Sequence, residues 1–210
     1  MATLAAVGKA CAQPQISAAM WKQDHFFARK TQFSWSPRLY FFDEQGKTLA
    51  FVRNTLLSGT HNIRVFTDPT LSFELLSIKA VSHGDDLRFD VTDPMNHQHV
   101  GVIKQLPRAR FQRRYWTLTD AGGDEVGGIA EDSLLLAGMR RLFAELLPQS
   151  YTFMASDREL GKATHAGIMF SQEMEIDLAG DADKRLDRRL VTAAIVILMA
   201  ASGDQSDARS

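Results

Sequence analysis

Five cations crowd one short stretch, Lys104-Gln105-Leu106-Pro107-Arg108-Ala109-Arg110-Phe111-Gln112-Arg113-Arg114, with Phe111, Tyr115 and Trp116 among or beside them. Guanidinium forks hold phosphate through paired N–H groups, and a polybasic surface gains about 1 kcal/mol per charge near anionic lipid. Lys104, Arg108, Arg110, Arg113 and Arg114 are therefore the candidate contacts to an anionic phospholipid or phosphoinositide headgroup. A solvated hairpin whose alternate residues are basic accounts for the same run, because charge runs usually are surface. Nucleic acid is not expected as a partner. The formal net charge is −1, with 24 basic and 25 acidic residues, so no global field attracts polyanions. No DNA- or RNA-binding motif is present either.

His97 and His99 are two residues apart and would project to one side of an extended segment. With Asp93 they form a possible metal triad, but turn tips accept histidine freely and the spacing is not that of HExxH. His25, His61, His83 and His165 have no companion at ligand spacing. Nucleophilic catalysis finds no support: there is no Gly-x-Ser-x-Gly elbow, no P-loop and no dinucleotide fingerprint. The glycine-rich run Gly122-Gly123-Asp124-Glu125-Val126-Gly127-Gly128 lacks the Lys-Ser/Thr of a phosphate loop and reads as a hairpin loop. No catalytic residue, metal site or cofactor is expected.

The elements that must carry these residues repeat along the chain. An apolar strand ends at an aspartate, turns at Pro or Gly, and a second strand follows. The strand ends are Asp43, Asp68, Asp93, Asp120 and Asp157, spaced 25, 25, 27 and 37 residues apart. Asp can bond the backbone two residues on, Pro presets φ, and Gly accepts positive φ. Strands at such regular spacing predict an all-β meander or barrel. Leu87–Thr92 and Glu173–Leu178 alternate apolar and polar, the pattern of a half-buried strand. Each strand then has a dry face that something apolar must cover.

Two helices supply cover. Asp132 or Ser133 can cap a segment running to Leu146 and stopped by Pro148, with Leu135, Met139, Leu142 and Leu146 on one stripe. This amphipathic helix, near 133–147, accounts for the longest gap between aspartates. The second, Leu190–Ala201, is apolar all round. Its twelve residues span about 18 Å, short of the roughly 20 residues that cross a bilayer. A helix apolar on every side is buried, so it belongs inside a closing β-meander. The fold read from the residues is mainly β: a closed antiparallel barrel enclosing a hydrophobic C-terminal helix, with no transmembrane segment.

At 210 residues the chain suits one domain. The lone Cys11 allows no internal disulfide, which fits a reduced, cytoplasmic setting. Residues 1–20 lack the basic start and apolar run of a signal peptide. The expected division is a flexible tail over 1–24, one barrel domain over 25–202 and a disordered tail over 203–210.

A meander of strand-Asp-turn hairpins followed by a hydrophobic last helix resembles the scramblase-like and LURP-one-related proteins, which share the Tubby C-terminal fold. The stretches that carry the resemblance are Arg38–Gly46, Arg88–Asp93 and Glu175–Leu178 before the final helix. It implies a barrel of about twelve strands threaded by the last helix. It also implies roles ranging from phosphoinositide binding to disputed lipid scrambling. The chain lacks the long Pro- and Cys-rich N-terminal region of scramblases, and its final helix stops sooner, which argues against lipid transport.

The resemblance also draws attention to Asp177, Asp181, Asp183 and Asp187, because scramblases are thought to bind calcium before their last helix. Calcium wants six to eight oxygens at alternating positions, and Lys184, Arg185 and Leu186 interrupt that pattern. Capping of the helix start is the better account. Taken together, these readings predict a non-enzymatic protein, cytoplasmic or peripheral to a membrane, that binds anionic phospholipid or phosphoinositide headgroups. The alternative is a protein–protein adaptor or structural barrel.

Overall fold

Alternating apolar and polar residues leave each strand one face to bury, and closing the sheet on itself buries all those faces at once. The computed structural model describes residues 19–31, 37–53, 62–83, 86–106, 114–132, 150–165 and 172–201. Its strands are β1 (His25–Lys30), β2 (Leu39–Phe42), β3 (Thr48–Val52), β4 (Asn62–Phe66), β5 (Glu74–His83) and β6 (Asp86–Asp93). They continue as β7 (Gln98–Leu106), β8 (Tyr115–Asp120), β9 (Glu125–Glu131), β10 (Ser150–Ala155), β11 (Arg158–His165) and β12 (Glu173–Asp177). The C-terminal helix, α1 (Arg188–Ala201), follows. Consecutive strands pair antiparallel throughout, and β1 pairs with β12, so the meander closes into a twelve-stranded barrel. The amphipathic helix expected near 133–147 falls outside the described residues, as does the tail over 203–210.

The inward positions are those the alternation marked. Phe89 and Val91 of β6, and Met174 and Ile176 of β12, are buried, while Arg88 before Phe89 and Glu175 between Met174 and Ile176 are exposed. About eight strands make a barrel that wall side chains can fill alone. Twelve leave room for a helix of roughly 10–12 Å diameter. In α1 every residue from Leu190 to Ala200 is buried, and its apolar side chains through Met199 form one hydrophobic cluster with the inward side chains of the wall. Met20 is buried in that same cluster and Trp21 packs against it, so the packed chain starts upstream of residue 25.

The sequence repeat has a spatial meaning. Even-numbered strands all run the same way, so their terminal aspartates gather at one rim. In each of the five repeated hairpins the register also shifts just before the turn, at Phe41/Phe42, Val65/Phe66, Val91/Thr92, Leu118/Thr119 and Phe153/Met154. Such irregularities bend and twist a strand, which helps a wide sheet close. Asp43, Asp68, Asp93 and Asp120 accept backbone N–H bonds from the residue two further on, at 3.0, 2.8, 3.0 and 2.8 Å. Asp177 does the same for Ala179 at 2.8 Å, a fifth case at the end of β12.

Asp157 departs from the pattern. It is the second residue of a two-residue turn in which Ser156 and Asp157 both have positive φ, 48° and 65°. Two positive φ values in a row suit the twist of a tight hairpin, and Gly161 stands within β11 rather than in the turn. The glycine run at 122–128 is likewise divided. Gly123 sits in the turn at φ 91°, whereas Gly127 and Gly128 belong to β9. There a Cβ on Gly127 would lie 2.6 Å from the Met154 carbonyl, so the reason for that glycine is close packing.

These turn geometries make a prediction. Asp120→Ala frees the amides of Gly122 and Asp124, held at 2.8 and 3.0 Å, and should cost about 1–2 kcal/mol. Asp157→Gly relieves a positive φ and should be neutral or slightly stabilising. Urea denaturation of the two variants checks this; equal losses would contradict the distinction.

Candidate functional site

The basic run spans the connection between β7 and β8. Lys104 is half-buried near the end of β7, opposite Arg88 on one side and Thr117 on the other. The last rung joins Leu106 to Tyr115, and Arg114 stands just beyond it, its carbonyl accepting the Glu131 N–H at 3.1 Å. Lys104 and Arg114 therefore flank the β7–β8 connection at one rim. Arg108, Arg110 and Arg113 fall outside the described residues. Of the nearby aromatics, Trp116 is not a surface group: it is 2% exposed and meets Tyr151 edge to face at 6.0 Å.

The same rim receives the C-terminal end of α1. The buried Lys30, last in β1, donates from Nζ to the Met199 carbonyl at 3.1 Å. A cation there answers the negative end of the helix dipole. On this half of the wall the buried nitrogens Trp116 Nε1 and His165 Nε2 have no hydrogen-bond partner among the described residues. Burial pushes the His165 imidazole below its ordinary pKa, because the charged form loses more hydration.

The opposite rim carries the aspartate turns and the start of α1. Asp187 caps the helix, accepting the Arg189 N–H at 2.8 Å. Asp181 accepts the amides of Arg185 and Leu186 at 2.9 and 3.2 Å and the Arg188 guanidinium at 2.6 Å. Its oxygens are thus held by the turn ahead of the helix and by Arg188, so of these aspartates it is Asp187 that caps the helix start. Arg188 also reaches Asp24 at 2.6 Å, and Arg189 bonds Asp187, Asp93 and Gln98 at 2.7, 3.3 and 3.0 Å. Sequence reasoning missed these arginines as organisers of the rim. The available signal was two arginines at the mouth of an all-apolar helix, which demand carboxylates from elsewhere in the chain.

The histidine pair does not converge on Asp93. His97 lies in the β6–β7 turn at φ 51°, so the segment is not extended there. Asp93 is occupied by the amides of Met95 and Asn96, the Asn96 side chain and Arg189. Among the described residues no three His, Cys, Asp or Glu side chains are grouped to hold a metal.

No family model, no curated protein and no solved structure matches the chain. Chemistry on the molecule itself must therefore carry any functional reading. Its wall is apolar inward, with Arg64, Lys79, Arg88 and Lys162 among the outward residues, the reverse of a membrane-spanning barrel, which turns its apolar band out. No helix among the described residues is long and apolar enough to cross a membrane.

Proposed function

We propose that the protein is a non-enzymatic binding module that docks the rim around residues 104–114 on anionic phospholipid or phosphoinositide headgroups. The observation that supports this most directly is the placing of Lys104, near the end of β7, and Arg114, just ahead of β8, at one rim. A basic run divided between opposite ends of the barrel could not engage one surface. The sequence between them adds Arg108, Arg110 and Arg113 to the same connection. Kinship with the scramblase-like and LURP-one-related proteins belongs to this proposal. It rests on the order of the elements, a twelve-stranded meander followed by an apolar helix. Cytoplasmic residence and reversible, peripheral membrane attachment are its corollaries. An adaptor role would call for an exposed apolar patch; among the described residues Met95 is the one large apolar side chain left exposed.

Liposome co-sedimentation tests the reading. Vesicles containing phosphoinositide should bind the wild type and neutral phosphatidylcholine vesicles should not. Binding should weaken sharply with added salt, since the Debye length is about 8 Å at physiological ionic strength. Arg110→Glu/Arg113→Glu and Lys104→Glu/Arg114→Glu should each reduce binding at least tenfold, as each reverses two charges worth about 1 kcal/mol apiece near the surface. Absence of binding to anionic vesicles, or binding indifferent to both variants, would overturn it.

A further inference from the structure

The barrel closes where its first strand meets its last, and the two edges of β1 are not equally secured. The β1–β12 ladder has rungs from His25↔Asp177 to Arg29↔Glu173. The β1–β2 ladder begins only at Phe27↔Phe42. His25 and Phe26 thus have no backbone rung to β2 at the aspartate rim. A side chain makes the connection there instead. His25 Nδ1 lies 2.8 Å from Glu44 Oε1 in the β2–β3 turn, and Nε2 lies 2.9 Å from Glu175 Oε1 on β12. One imidazole thereby joins elements on both sides of the closing strand.

An imidazole serves two carboxylates only when both ring nitrogens carry a proton. The neutral ring has one N–H and must turn a lone pair toward the other carboxylate. We propose that His25 is a pH-sensitive latch on the closing strand, holding β1 to both neighbours as imidazolium and releasing one of them as neutral imidazole. The other ionisable groups around it are engaged elsewhere. Asp177, opposite in register, accepts the Ala179 amide at 2.8 Å. Asp24 faces Arg188 and Lys184, at 2.6 and 3.7 Å. Asp43 accepts the amides of Gln45 and Lys47, and Lys162 on β11 pairs with Glu159 at 3.4 Å. The Phe27 ring meets the imidazole edge-on at 5.1 Å.

The sign of the effect follows from the bonds. The Glu175 bond, with the Glu44 bond behind it, raises the His25 pKa above the ordinary 6.5, against an opposing contribution from burial. The latch is complete below the unfolded value of 6.5 and is lost as pH rises through the higher folded value. This device lies at the rim opposite the 104–114 run and stands independently of the lipid reading.

Hydrogen exchange of the wild type and His25→Gln at pH 5.5 and 8.5, corrected for intrinsic rates, tests it. In the wild type, protection over residues 25–28 and 41–45 should fall roughly two- to tenfold between the two pH values, the scale of two exposed ion pairs. In His25→Gln it should stay low at both, and the β6–β7 hairpin should not respond in either protein. An NMR titration of the wild type should place His25 above 6.5, and Glu44→Gln should lower that value while β1 stays paired to β12. Titration at or below the ordinary value, or the same pH response in His25→Gln, would overturn the proposal.

Discussion

Arg188→Met should destabilise the fold by about 3–5 kcal/mol, the cost of leaving a buried charge without its partner. The Arg188 side chain is 5% exposed and that of Asp181 is 0%. The guanidinium bonds Asp181 at 2.6 Å, Asp24 at 2.6 and 3.0 Å, and the Leu186 carbonyl at 3.0 Å. Methionine keeps much of the apolar stem, so the loss would report charge and hydrogen bonding rather than packing. The amides of Arg185 and Leu186 still bond Asp181, but two N–H dipoles do not replace a cation at 2.6 Å. Asp181→Asn in the Arg188→Met background should cost less than it does alone, since the charge to be compensated has gone. Urea denaturation of the four proteins in that cycle checks both statements. A loss below about 1 kcal/mol for Arg188→Met would put the pair in the class of surface ion pairs.

Ile195→Ala should cost about 2–5 kcal/mol, the range for a large apolar side chain removed from a packed core. Ile195 lies midway along α1 and is 0% exposed. The wall cannot collapse onto the gap, because closure by hydrogen-bonded strands sets the circumference. The penalty should therefore fall high in that range. Thr117→Ala on the outer wall is the control and should change stability by no more than about 0.5 kcal/mol. Wall and helix share one hydrophobic cluster, so the variant should still unfold in a single transition by both tryptophan fluorescence and circular dichroism. An early, separate loss of helix would show that α1 is not integral to the core.

The turn chemistry shows where residue reading works and where it stops. Asp43, Asp68, Asp93 and Asp120 could be placed from sequence because an aspartate carboxylate bonds an amide two residues away whatever the rest of the chain does. Asp157 looked the same on paper but occupies a different turn, since the two-residue loop between β10 and β11 leaves it at positive φ. Trp116 shows the same limit. Its place beside Arg113 and Arg114 suggests a surface aromatic near cations, yet strand alternation turns it inward to Tyr151. The β7–β8 register put Lys104 and Arg114 at one rim, whereas the metal reading of His97 and His99 ended with a left-handed turn at His97.

Residues alone determined what is local. Period-two alternation marked the strands, apolar character on every face of a short segment marked a buried helix, and the two together required a closed sheet around it. Tertiary structure decided what depends on distant partners. Asp24 meets Arg188 across 164 residues, and His25 meets Glu175 across 150. Lys30 reaches the far end of the helix across 169. Side-chain periodicity repeats within a few residues, so it carries the direction in which each residue points. Which distant residue lies in that direction is set only when β1 and β12 meet and the barrel closes.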